Sequence, residues 1–160
     1  MGIYKSIEKR FNWLRFVKFD KKTGFYRYSR FGQIIYIRHP RHFLNEKSNR
    51  WVCENLIYNK YMPCAGDTVI DLGAGYGEEA MFLANRVKIR KYIGVEAQPI
   101  IYECLANTFY HAGPEYIAVP YVISDQDMVK FFSQFSYASV GVVPESYIEV
   151  PTITWQEFQE

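Results

Sequence analysis

Residues 71–77 read Asp-Leu-Gly-Ala-Gly-Tyr-Gly and overlap the end of a short apolar run, Thr68-Val69-Ile70-Asp71-Leu72. Such a run predicts a buried strand of a parallel sheet. Residues 78–87 place Ala80, Leu83, Ala84 and Val87 at i, i+3, i+4 and i+7, which predicts a helix able to pack closely on that sheet. A glycine-rich bend between strand and helix tolerates positive φ and lets backbone amides approach a ligand. The helix start behind it offers unpaired N–H groups to a carboxylate or phosphate. A tight strand-to-helix turn would use the same glycines for sterics alone.

The unit then repeats. Residues 92–96, Tyr-Ile-Gly-Val-Glu, predict a second buried strand. Residues 99–112 predict a helix with Pro99 in its first turn, Gly113 at its end and Ile101, Cys104, Leu105 and Thr108 on its inner face. Residues 116–123 predict a third strand, kinked at Pro120. Alternating strands and helices imply right-handed crossovers and an α/β, Rossmann-like parallel sheet of order 3-2-1. Residues 128–132 and 147–153 alternate like a ribbon. Upstream, Ile7, Phe11, Leu14 and Val17 predict a basic amphipathic helix over residues 4–18, lying on the domain in preference to a membrane surface. Residues 25–28 and 33–37 predict a hairpin about residues 29–32. Ser48 or Asn49 would cap a helix running to Tyr61 with Cys53, Leu56, Ile57 and Lys60 on one face. The chain thus divides into an N-terminal extension, residues 1–62, with its helix and β-hairpin, and a partial Rossmann-like domain, residues 63–160.

Glu96 closes the second strand, 25 positions after Asp71. A carboxylate there can accept hydrogen bonds from both ribose hydroxyls of an adenosine cofactor. Ser124 and Asp125, just past the third strand, would meet the adenine at the same sheet edge. The glycines run G-x-G-x-G, and Glu78 stands where a dinucleotide fingerprint has its third glycine. A negative charge there would repel a pyrophosphate, whereas Asp71 could reach an ammonium group directly or through water. The pattern therefore favours a zwitterionic methionine tail over a diphosphate. A phosphate-binding Walker loop is excluded, since no G-K-[ST] follows.

Charge is divided unevenly: residues 1–50 hold 13 Lys or Arg against 3 Asp or Glu, and residues 51–160 hold 6 against 14. The basic front end could meet nucleic acid, anionic lipid or an acidic substrate, or could simply complement the acidic half. The aromatics interleaved with arginines over residues 25–31 are explained by a hairpin core, so nucleic acid is not an expected partner. Cys53, Cys64 and Cys104 are too few and too scattered for a disulfide framework or zinc site, and are expected as reduced core thiols of a cytoplasmic protein. No apolar stretch is long enough to form a transmembrane segment, and no secretory pattern opens the chain. His39, His42 and His111 are candidate bases by chemistry only, with His111 expected to be structural.

Residues 66–77 (Gly-Asp-Thr-Val-Ile-Asp-Leu-Gly-Ala-Gly-Tyr-Gly), 95–99 (Val-Glu-Ala-Gln-Pro), 122–125 (Val-Ile-Ser-Asp) and 150–154 (Val-Pro-Thr-Ile-Thr) together resemble the FkbM family of methyltransferases. The resemblance spans most of residues 33–158. It implies transfer of a methyl group from S-adenosyl-L-methionine to a hydroxyl of a sugar, glycan or secondary metabolite. It implies that Asp71, Gly73, Ala74, Gly75, Tyr76 and Gly77 line the methionine side. Glu96 and Ala97 would then lie at the ribose, and Ser124 and Asp125 near the adenine. Gly75 stands where many members have Asn, Gln98 replaces part of an "E-P" pair, and Thr154 replaces the Asp of "T-L-D". The family's later "K-x-D-x-E-G" segment and closing strands have no counterpart before Glu160. The outer side of residues 68–72 would then be uncovered. It would be closed by the ribbon, by residues 33–37, by an oligomer or partner chain, or by further sequence. A partner-dependent fold is expected, and a non-catalytic S-adenosylmethionine-binding subunit is the alternative to an active enzyme.

Overall fold

The computed structural model of the chain describes residues 15–30, 32–42, 46–125, 128–132 and 147–160. Strands β1 (Val17–Asp20), β2 (Phe25–Arg30) and β3 (Gln33–Ile37) form an antiparallel meander in that order. Asp20 shapes the first turn by accepting the Lys22 N–H at 2.9 Å, and Gly24 completes it at φ 76°. Arg30 pairs with Gln33, so the hairpin turn is two residues long, tighter than the bend the sequence suggested. The helix expected over residues 4–18 does not include Val17 and Lys18, which are strand. Pairing with β2 buries Val17 beside Tyr28, and that packing outweighs local helical spacing. Residues 4–14 of that expectation lie outside the described residues.

Helix α1 (Glu46–Val52) begins before the expected cap and passes into a π-helical turn, Cys53–Ile57. Tyr58 N–H donates to the Cys53 carbonyl at 2.8 Å, which inserts one residue and rotates the apolar face. Leu56 and Ile57 are consequently exposed, contrary to the periodicity. Cys53 is fully buried, and Tyr58 stacks on Phe82 (5.8 Å, 9°).

Strands β4 (Thr68–Leu72), β5 (Lys91–Val95) and β6 (Tyr116–Val119) form a parallel sheet in that order, in a mixed α/β architecture compatible with a Rossmann-like fold. Helix α2 (Glu78–Ala84) joins β4 to β5, and α3 (Pro99–Ala112) joins β5 to β6. Register places Val69, Tyr92 and Tyr116 in one row, on the face packed by α2 and α3. Ile70, Ile93 and Ile117 share the opposite face, where Ile70 and Ile117 are exposed and Leu72 is 61% exposed. The strand read as buried on both faces is therefore covered on one. Neither β3 nor the ribbon pairs with the free edge of β4 among the described residues.

Helix α3 starts at Pro99 and ends against Gly113, as its sequence implied. It buries Ile101, Cys104, Leu105, Thr108 and Phe109, each large apolar side chain contributing about 1.5–3 kcal/mol. Thr108 enters the core without an unpaired hydroxyl. It donates to the Cys104 carbonyl at 3.0 Å and accepts the Tyr36 N–H at 2.9 Å, tying β3 to α3. Helix α2 buries Ala80, Met81, Phe82 and Leu83 but exposes Ala84, and it ends before Val87.

The third expected strand is divided at Pro120. Its second part, β7 (Val122–Ile123), leaves the parallel sheet and pairs with β9 (Tyr147–Ile153), which also pairs antiparallel with β8 (Met128–Phe132). A closing helix, α4 (Trp155–Gln159), carries a Thr154–Glu157 capping box that the sequence reading passed over. Cys53 and Cys104 are buried free thiols, whereas Cys64 is exposed in the turn before β4 and not in the core. Among the described residues no helix is long and apolar enough to cross a membrane.

Candidate functional site

The bend between β4 and α2 is built from three glycines at positive φ: Gly73 at 88°, Gly75 at 55° and Gly77 at 89°. The N–H groups of Gly73 and Ala74 both donate to the Val95 carbonyl, at 2.9 and 3.0 Å, so the bend is hung from the end of β5. Glu96 follows on β5 and is fixed at the rim by its own N–H, which donates to the Val119 carbonyl at 3.0 Å. Its carboxylate spans two segments. Oε2 accepts the Gly75 N–H at 3.1 Å, and Oε1 accepts the Gln98 N–H at 2.8 Å. Asp71 is held from the sheet side, where the Tyr92 hydroxyl donates to Oδ2 at 2.6 Å. The structure thus brings Asp71, residues 73–77, Glu96 and Ala97 to one rim of the parallel sheet.

The remaining candidates are held by other contacts. Ser124 and Asp125 follow β7, and the Ser124 N–H donates to the Ile153 carbonyl at 3.0 Å, attaching them to the third sheet. The Tyr76 ring is buried among Tyr36, Ile101 and Cys104, with its hydroxyl 2.6 Å from His42 Nδ1. Its main chain is the part left at the bend. His111 stacks on Tyr36 (5.6 Å, 16°), with Nε2 3.2 Å from the Tyr36 hydroxyl, in the structural role expected of it. His42 touches a bend residue and is held below the usual histidine range by burial, then by His39 and Arg38.

Each glycine answers a different requirement. An added Cβ at Gly73 would meet nothing within 4 Å, so the bend is open to a ligand there. At Gly77 it would lie 2.9 Å from the Phe109 ring and 3.1 Å from Leu105, and at Gly94 it would lie 2.8 Å from the same ring and 3.0 Å from the Ala74 Cβ. Phe109 therefore sits between the bend and β5 and requires glycine on both sides. Sequence reasoning named neither Phe109 nor Gly94. The apolar period of α3 was the available signal for the former.

Asp71, Glu79 and Glu96 are each raised from their ordinary carboxyl values, chiefly by burial. Glu78 is buried more deeply and is pushed up to about 8 by burial, then by Glu79. Burial therefore favours its uncharged form at neutral pH. This corrects the argument that its charge repels a pyrophosphate. What Glu78 supplies is an acceptor for the Tyr76 N–H, at 3.2 Å. Its position is fixed in turn by Asn49, whose side-chain amide donates to the Glu78 carbonyl at 3.2 Å. A cation at the rim would find Asp71 and Glu96 in place and would lower both of their pKa values.

Glu78 gives the fold a pH dependence of definite sign. Below its ordinary value of 4.5 the side chain is protonated in folded and unfolded chains alike. Above that value the unfolded chain releases the proton while the folded chain keeps it to about pH 8, so stability falls as pH rises through this window. The slope approaches about 1.4 kcal/mol per pH unit from this group. Urea melts at intervals from pH 5 to 8 are expected to show the decline in the native chain and a clearly shallower one in Glu78→Gln.

No family model and no curated protein sequence matches the chain.

Proposed function

We propose that the rim formed by residues 71–77 and Glu96 holds S-adenosylmethionine, and that the chain transfers its methyl group to a hydroxyl oxygen in the manner of the FkbM methyltransferases it resembles. The observation that carries this reading is the Glu96 carboxylate, bridging the Gly75 and Gln98 N–H groups with one oxygen each. A carboxylate oxygen accepts more than one hydrogen bond, so an acid anchored in this way beside a glycine bend suits a vicinal diol. Asp71, oriented by Tyr92, adds a second acid at the rim. Two acids favour a cationic ligand and disfavour a polyphosphate. The cofactor supplies an electrophilic methyl group when bound. The residues of the chain bind and orient it and exclude water from its sulfur side. Adenine contact by Ser124 and Asp125 belongs to this proposal, as does a hydroxyl-bearing small-molecule or glycan acceptor. Free thiols at Cys53, Cys64 and Cys104 agree with a cytoplasmic setting.

A second reading is a cofactor-binding subunit that needs a partner to become an enzyme. The exposed Ile70, Leu72 and Ile117 on one sheet face favour it, because completed sheets of this class carry helices on both faces.

Calorimetric titration with S-adenosylhomocysteine is expected to give saturable heat, and a ligand excess of a hundredfold over Kd should stabilise the fold by about 2.7 kcal/mol. A folded sample that shows neither heat nor thermal protection refutes the proposal. Binding without methyl transfer to any hydroxyl acceptor selects the second reading.

A further inference from the structure

A cavity of about 660 Å³ opens where β1 and its turn meet the C-terminal end of α3. Asn107, Tyr110 and His111 of its wall lie 9 to 13 residues beyond Gln98, so at 1.5 Å per residue the cavity is about 14–20 Å along α3 from the end that faces the Glu96 rim. It belongs to a different part of the molecule and does not depend on the methyl-donor reading. Its size falls within the range of small-ligand sites.

The wall carries Lys18, Lys21, Lys22 and Arg27 against a single carboxylate, that of Asp20. Asp20 is already engaged: Oδ1 accepts the Lys22 N–H at 2.9 Å and Oδ2 accepts the Tyr36 hydroxyl at 3.0 Å. Those two hydrogen bonds hold its carboxyl below the usual range, and Arg27 adds to the effect. Among the described residues Lys18, Lys21 and Lys22 form no salt bridge. Two large rings flank these cations in water, Phe19 at 54% and Tyr110 at 84% exposure. They differ from the aromatics over residues 25–31 that the sequence assigned to a hairpin core, of which Tyr28 is indeed buried. Among the described residues Phe19 meets Tyr26 (5.2 Å, 64°) and Tyr110 meets His111 (5.4 Å, 81°) in edge geometries, so neither ring is covered by a parallel stack.

The combination is selective in kind. A bare inorganic anion would use the ammonium groups and leave the rings idle. An uncharged aromatic would do the reverse. A phosphate joined to a planar base uses both, with lysines as adaptable donors to the phosphate and an exposed tyrosine as a stacking platform. We propose that this cavity is a nucleotide site. In it Lys21 and Lys22 take the phosphate and Tyr110 and Phe19 take the base. The same chemistry of recognition serves a free nucleotide and a unit of a single strand.

The test uses the full chain with adenosine monophosphate by calorimetry and with fluorescein-labelled octathymidylate by anisotropy. Binding of at least one is expected. Tyr110→Ala should weaken it about tenfold or more, and Lys21→Glu/Lys22→Glu should weaken it further and flatten its salt dependence. All three substituted side chains are exposed, and circular dichroism melts verify that the variants fold. Octathymidylate binding far tighter than the monophosphate identifies a strand as the source, and comparable affinities identify the free nucleotide. Failure of both probes to bind overturns the proposal. So does binding that Tyr110→Ala leaves unchanged and inorganic polyphosphate displaces, because charge alone then accounts for it.

Discussion

Glu96→Gln is expected to lower affinity for S-adenosylhomocysteine by about a hundredfold, since two hydrogen bonds to a charged acceptor are worth about 1.5 kcal/mol or more each. The amide is the same size as the acid, yet it replaces one acceptor oxygen with an NH₂ donor. That donor must face either the Gly75 or the Gln98 N–H, which now occupy the two oxygens at 3.1 and 2.8 Å. One rim segment loses its anchor, and one hydroxyl of a bound ribose loses its acceptor. Calorimetric titrations of both proteins measure the change, with Glu103→Gln as a control, because Glu103 is an exposed acid of α3 away from the rim. Equal affinities for the native chain and Glu96→Gln, in samples with unchanged melts, would show that Glu96 does not hold the ligand.

Gly77→Ala is expected to destabilise the fold by about 3 kcal/mol, combining a left-handed residue that alanine tolerates poorly with an overpacked core. The backbone there is at φ 89°, and the new methyl would lie 2.9 Å from the Phe109 ring. Neither neighbour yields easily, since Phe109 and Leu105 are both fully or almost fully buried. Urea denaturation measures the loss. Phe109→Leu in the same chain removes ring atoms from the clash, so the double variant should lose less than the sum of the two single changes. Strict additivity would show that the strain lies in the backbone alone.

The repeated strand–helix pattern and the positions of Pro99 and Gly113 could be read directly from the residues, because local periodicity and end signals decide such elements. The rim was legible for the same reason: Asp71, the glycine bend and Glu96 all lie at strand ends, where side-chain chemistry is exposed in the spelling. Legibility failed where a distant partner decides. Val17 and Lys18 have helical spacing, but the ladder to β2 claims them. Leu56 and Ile57 follow an α period that a π turn at Cys53 displaces. The charge of Glu78 was expected to repel a diphosphate, yet burial favours the uncharged form. The roles of Phe109 and Gly94 depend on a contact between segments 15 residues apart, and no local pattern encodes it.

The uneven clothing of the parallel sheet has a practical consequence. Among the described residues strand β4 is hydrogen-bonded along one side, and its outward row presents Ile70 and Leu72 to water. The molecule is in this respect an amphiphile, with a greasy plate opposite its helical layer. Its shelf life at the bench would therefore be governed by protein concentration more than by heat, and hydrophobic dyes would brighten on the native state well before any melting.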